Sequence, residues 1–416
     1  MSRLLATLHD PWMALCLAHA LSEELSAVIT YGDAAWAARF EALGVPFLLV
    51  PFPDEATTLR LLADDRVAAF IAEEPSRLLS FKPSRRLEQR AAELGATLAL
   101  PPASIAQRLE NKLTLRQLAA EAGIVPAPGP SDPVGLPPQA KVTVGPQITL
   151  EGLRELVGAP EDESVVVQSP RGFMGRKTWS VGDETEWDSL VQELNRRPVK
   201  VSRFISGRPG TINAVVDSAG TVLCTAPIVQ VTGDPRLTPY RLGSCGNDFT
   251  WRPSPSPEDG PYELARRLGP VLAMHGYRGH FGLDFVVQDL GEQKARTWLI
   301  EINPRLTASM ALYSAWRPVL ARAHVAVLDG SELRSTGELP PLGGGQLILH
   351  NLGDQPSSPL TASETGLPVG GHTLPATACV WPQATTEVAP GGTRGRLVRK
   401  GAVVNHDGAL LMSLRN

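Results

Sequence analysis

Only 4 cysteines occur in 416 residues, at positions 16, 224, 245 and 379. None belongs to a CxxC pair, so neither a zinc ribbon nor a disulfide framework is indicated, and reduced thiols in a cytoplasmic protein are the expectation. No apolar run reaches the roughly 18 residues of a membrane-spanning helix, so no membrane partner is expected. Near the start, Arg3, the apolar LLATL and Ala18-His19-Ala20 imitate a secretory signal, but His9-Asp10-Pro11 breaks the apolar stretch. A charge excess is missing too. The 39 basic and 43 acidic residues leave a net charge of −4, which argues against a nucleic-acid surface. No G-x-G-x-x-G follows the first apolar strand, so the dinucleotide fingerprint is absent. His350, His372 and His406 are scattered and form no triad by spacing, so structural roles are expected for them.

What the chain does have is a dense polar cluster within residues 279–309, GHFGLDFVVQDLGEQKARTWLIEINPRLTAS. Apolar LDFVV and WLIEI predict two strands, with QDLGEQKAR as the polar connection of a hairpin. Side chains two apart on a strand share a face, so Glu301 and Asn303 reach one point. Gly282 and Asp284 stand in the same relation on the partner strand. Two carboxylates and an amide oxygen are hard donors of the kind Mg²⁺ takes, with further positions left for phosphate oxygens. Pro304 ends the strand, and Arg305 follows at once, placed to hold an anion beside the metal. The metal ligands predicted on these grounds are Asp284, Glu301 and Asn303.

Four further segments carry candidate residues. Residues 111–124 predict an amphipathic helix with Leu115, Leu118, Ala119 and Ala122 at helical spacing, capped by Asn111 and stopped by Gly123. Lys112 in its first turn opposes the helix dipole, so it is either held there for a ligand or simply solvated. Residues 164–181 predict two strands around RGFMGRK. There Gly172 and Gly175 allow phosphate to approach the backbone, and Arg171, Arg176 and Lys177 supply charge. Residues 199–217 predict two strands meeting at a glycine-containing turn. Residues 232–249 predict a long polar loop with Arg236, Tyr240, Arg241 and Asn247. Its arginine pair suits a substrate carboxylate, or equally a solvated surface.

Taken together, GLDFVV and LIEINPR resemble the metal- and phosphate-binding end of the ATP-grasp superfamily, whose members hold ATP between two α+β subdomains. The resemblance implies ATP and Mg²⁺ as cofactors and activation of a carboxylate as an acyl phosphate, followed by acyl transfer to an amine. Arg305 and Lys112 take catalytic roles in that reading, and Lys112 matches the lysine that binds nucleotide phosphate. The RGFMGRK segment resembles the mobile glycine-rich loop over the phosphates, with Gln168, Gly172, Gly175 and Lys177 as cofactor-binding positions. Gln168 stands where the superfamily usually has a lysine, a departure associated with the pheganomycin-type peptide ligase branch. Ser202, Arg203, Phe204 and Ile205 match the linker that grips adenine, with Ser202 at the usual acidic position. Arg236, Tyr240, Arg241, Asn247, Thr307 and Ser309 are the expected substrate contacts.

The fold class expected is α/β and α+β in three parts. Residues 1–107 alternate strands and helices and resemble the parallel-sheet domain that precedes an ATP-grasp core. LLATL, SAVIT, PFLLVPF, VAAFIA and ATLALP are its predicted strands. Residues 108–330 are the expected core, and 331–416 a small β-rich extension in which Gly343-Gly344-Gly345 reads as a turn or linker. The implied activity is an ADP-forming carboxylate–amine ligase acting on amino acids or short peptides, with small-molecule partners and a homodimer as one arrangement. Two alternatives stand beside it: an ATP-grasp carboxylase working through carboxyphosphate, and a nucleotide-binding protein without catalysis.

Overall fold

The computed structural model describes residues 2–129, 131–173, 176–250, 259–292, 294–350, 352–354, 368–369, 372–373, 378–382, 393–400 and 403. Five N-terminal strands pair in parallel in the order Phe47–Val50, Ala27–Tyr31, Arg3–Leu8, Ser76–Leu79, Thr97–Leu98. Two residues after the first strand, Asp10 caps the helix Pro11–Ala20, accepting from the Trp12 and Met13 amides at 3.0 and 3.3 Å. Pro11 opens that helix, where its missing N–H costs nothing. One expected strand is a helix instead. VAAFIA belongs to Asp65–Ala72, where Asp64 caps the start and Val67 and Ile71 bury one turn apart. The missing strand is Ser76–Leu79. A short apolar run does not tell strand from helix by itself, and here the cap and the i, i+4 spacing decide.

A second sheet has 4 strands in the order Gln139–Thr143, Pro198–Arg203, Val165–Phe173, Arg176–Val181, all antiparallel. The helices Leu150–Val157 and Glu184–Leu194 pack against it around Val167, Val201 and Trp187. Its hairpin strands run further into RGFMGRK than the sequence suggests, as far as Phe173 and from Arg176 onward.

The third sheet has 11 strands among the described residues, with Arg208–Val216, Gly279–Gly291 and Lys294–Asn303 adjacent and antiparallel at its centre. Residues 204–207 link Pro198–Arg203 in the second sheet to Arg208–Val216 in the third. The expected loop 232–249 is shorter than predicted, because Ser244–Asp248 is a strand of this sheet. The C-terminal strands Gly344–His350, Thr393–Lys400 and Ala378–Pro382 extend the same sheet. Gly344 and Gly345 are strand rather than turn. A Cβ on Gly345 would lie 2.8 Å from the Asn247 carbonyl, so glycine here permits close strand contact. His350 is structural, its Nδ1 2.9 Å from the Leu237 carbonyl. The helices Ala308–Trp316 and Val319–Leu328 share a hydrophobic core with the N-terminal sheet, which fastens that sheet beside the third. No helix among the described residues is long and apolar enough to cross a membrane.

Candidate active site

The hairpin Gly279–Asn303 pairs Asp284 with Glu301 and Gly282 with Asn303. A register shift falls between Asp284 and Phe285, because Phe285 pairs with Leu299 and Ile300 is the extra residue. This bulge brings Glu301 directly opposite Asp284 on one face. Asn303 Nδ2 donates to Asp284 at 3.0 Å. Burial, and then the facing Glu301 carboxylate, hold Asp284 well above the usual carboxylate range. Two carboxylates so placed favour a cation between them. Among the described residues no group of three His, Cys, Asp or Glu side chains forms a metal site. A divalent ion here would rest on the two carboxylates and the Asn303 amide oxygen, with ligand oxygens completing its shell. That is the habit of Mg²⁺, and the donor set fits it.

Lys112 lies in the turn before a shortened helix, Leu115–Glu121, rather than in a helical first turn. It is buried at 4% exposure and pairs with Glu301 at 2.9 Å, so it is no solvated lysine. Its backbone N–H donates to the Pro170 carbonyl at 3.0 Å, tying it to the glycine-rich hairpin.

Arg305 is held from several sides. It donates to Glu110 at 3.2 Å, to the Asn303 amide oxygen at 2.8 Å and to the Leu306 carbonyl at 3.1 Å. Its guanidinium lies 5.1 Å from the Phe81 ring centre. Burial works to raise the Glu110 carboxyl, but Lys82 and Arg305 outweigh it and keep the group below its ordinary value. A cation fixed in this way is preorganised for a developing negative charge.

Two histidines stand behind Arg305. His280 Nδ1 lies 2.7 Å from the Arg305 carbonyl, and the His280 N–H donates to His324 Nδ1 at 2.9 Å. Burial pushes His280 down to about 3, with His324 adding to the effect, and burial alone pushes His324 down to about 4. Below pH 6.5 the unfolded chain takes up protons that the fold excludes. Stability should therefore fall as pH drops from about 6.5 towards 4, by on the order of 3 kcal/mol per histidine. Urea midpoints at pH 7 and pH 4.5 measure this. His324→Gln keeps an acceptor without the titration, and an unchanged pH dependence in that variant would refute the assignment.

Gln168 lines the same cavity, its Nε2 3.4 Å from Thr178 Oγ1 and its Oε1 buried with no partner among the described residues. Directly across the sheet from it stands Lys200, which the sequence reading missed. Lys200 is 4% exposed, and its Nζ donates to the carbonyl of the bulge residue Ile300 at 3.2 Å. Burial and then Lys112 push its ammonium down to about 7, against the opposing pull of Glu301.

These groups surround a cavity of about 830 Å³ between the second and third sheets, open also to the N-terminal sheet. Asp284, Glu301, Asn303, Arg305 and Lys112 line it, as do Gly172 and the linker residues Ser202, Arg203, Phe204 and Ile205. Gly207 closes the linker, where a Cβ would sit 2.3 Å from the Val287 carbonyl. Arg241, Asn247, Thr307 and Ser309 also line the cavity. Thr307 caps its helix and donates to Asn213 at 2.6 Å, and Asn213 donates to Ser309 at 3.0 Å, so both hydroxyls already belong to a buried network.

Three expected residues are not brought to the cavity. Arg236 folds back on Asp234, with Nε 2.9 Å from its carboxylate, so its charge is already paired. Tyr240 lies in the same turn, outside the lining. Lys177 is exposed, with φ 67°, on the far strand of the glycine-rich hairpin. Gly175 lies outside the described residues.

A cavity between two sheets, with hard oxygen donors, two buried lysines and a fixed arginine, defines a protein built to hold a nucleotide's phosphates with a divalent ion. The comparisons give that class its name. Residues 146–309 match the ATP-grasp domain, and the chain has the ATP-grasp fold. Enzymes with this fold use ATP and Mg²⁺. The chain is similar to biotin carboxylase from Campylobacter jejuni, at 14% identity and a TM-score of 0.64 over 96% of this chain and 87% of that one. Phosphoribosylamine–glycine ligase from Thermotoga maritima gives 16% identity and 0.61 over 96% and 92%. L-amino acid ligase from Bacillus licheniformis gives 12% and 0.59 over 96% and 94%. No curated protein matches the chain.

Proposed function

We propose that this protein is an ADP-forming ligase that joins a carboxylate to an amine, with amino acids or short peptides as substrates. The observation that carries the reading is the facing pair Asp284 and Glu301 with Asn303 and Arg305 on one cavity wall. Asp284, Glu301 and Asn303 would hold Mg²⁺, which when bound neutralises charge on the nucleotide phosphates. The linker residues Ser202 to Ile205 would receive the adenine, and Phe204, 37% exposed, offers an apolar face for it. Lys112 would exchange its partner Glu301 for phosphate oxygens. Arg305 would stabilise negative charge as phosphate is transferred to the substrate carboxylate and later leaves. Lys200 would supply, from the neighbouring strand, the cation absent at Gln168. No side chain acts as a covalent nucleophile in this scheme.

The test is ADP release from Mg-ATP with pairs drawn from amino acids and short peptides, each with and without bicarbonate. Release that needs both an acid and an amine supports the ligase. Release that needs bicarbonate identifies a carboxylase, and nucleotide binding without turnover on any pair identifies a non-catalytic protein.

A further inference from the structure

Arg396 lies on the strand Thr393–Lys400, paired with Ile348 on one side and Trp381 on the other. Its Nη2 donates to Asp10 at 3.0 Å, and both side chains are only 6% exposed. Asp10 is itself immobilised as a helix cap, so it fixes the guanidinium in turn. Among the described residues, Nε and Nη1 of Arg396 are buried and have no partner. Both Arg396 and Asp10 line the cavity that holds Asp284 and Glu301. A buried guanidinium with two unused donors is unfavourable unless a ligand takes them.

The missing acceptor has a definable chemistry. A planar carboxylate matches the fork of an arginine better than any other small anion except phosphate. Phosphate is disfavoured by Asp10, whose charge makes the pair neutral as a unit and would repel a dianion. A zwitterion fits both members, with its carboxylate on Arg396 and its amino group near Asp10. The two residues come from the cap of the first helix and from a C-terminal strand, which supply none of the nucleotide-side groups. We infer that Arg396 anchors the α-carboxylate of an amino acid whose amino group is the acyl acceptor. The inference rests on the ligase reading of the cavity.

Calorimetric titration of the Mg-ADP-loaded protein with the proteinogenic L-amino acids and their carboxamides tests it. At least one free acid should bind about tenfold or more tighter than its carboxamide, the scale of a charge-assisted pair. In Arg396→Gln that ratio should fall to near one with Mg-ADP affinity unchanged. Equal binding of acids and carboxamides by the wild type, or a preference that survives in Arg396→Gln, would overturn the inference. If Arg396→Gln does not fold, Arg396→Lys keeps the charge opposite Asp10 but loses the fork. A several-fold smaller preference is then expected, and an unchanged one overturns the proposal. Failure of the ligase reading looks different: the preference for free acids remains, but no acid–amine pair releases ADP.

Discussion

Glu301→Gln should lower ATP-dependent turnover by about 1,000-fold or more, while the thermal midpoint moves little. The amide still accepts from Lys112, so the contact that holds the turn in place survives. What is lost is one of two charged metal ligands. Several kcal/mol of charge stabilisation at the phosphates depends on the ion, and each ~1.4 kcal/mol is tenfold in rate. The Mg²⁺ concentration needed for half-maximal ADP release should rise in parallel. Turnover within tenfold of wild type, at any Mg²⁺ concentration, would show that Glu301 is not a ligand.

Lys200→Met should weaken Mg-ATP binding by about 10- to 100-fold, the range expected for losing one buried cation opposite phosphate. The same change should raise the thermal midpoint of the nucleotide-free protein. Lys200 is nearly inaccessible, and its ammonium is pushed down to about 7, so burial of its charge opposes folding. Gain of stability with loss of affinity would mark a group retained for binding rather than for the fold. Placing the lysine where the superfamily usually has it, in the double variant Gln168→Lys, Lys200→Gln, should restore most of the affinity. Fluorescent-nucleotide titration and melting curves read both effects. If Lys200→Met binds Mg-ATP like the wild type, Lys200 plays no part in the phosphate site.

The metal hairpin is the part of the site most open to reading from sequence, because a period of two settles which side chains share a face. Glu301 and Asn303 need only that rule, and Asp284 needs only the partner strand. Lys200 was not legible for the converse reason. In VKVSRF nothing tells which strand lies beside it, and its contacts with Ile300 and opposite Gln168 are long-range. Arg396 is hidden in the same way, since its partner Asp10 lies at the other end of the chain. Arg236 is held out of the cavity by a local partner. Asp234 lies two residues upstream, and such pairs commonly close on themselves. In the fold, VAAFIA failed as a strand because six apolar residues fit either period, whereas the capped helices at Asp10 and Asp33 carry their own start signals. The joining of the C-terminal strands to the third sheet depends on pairings that no local pattern encodes.

The bulge at Ile300 also decides where this chain can change length. Ile300 is the unpaired residue, so removing it would leave a regular ladder, with Phe285 opposite Leu299 and Asp284 still opposite Glu301. The cost would be the carbonyl that anchors Lys200 rather than the paired carboxylates. Insertions of one or several residues at the exposed tip near Gly291 would leave that arrangement untouched, since the pairing from Gln288 with Arg296 inward fixes the register. Length variation among relatives of this chain should therefore collect at the hairpin tip and be absent from Glu301, Ile302 and Asn303, where one residue more or less would separate the two ligand positions from a shared face. A relative that lacks the extra residue should keep the paired carboxylates but have no carbonyl at that place to receive a buried lysine from the neighbouring sheet.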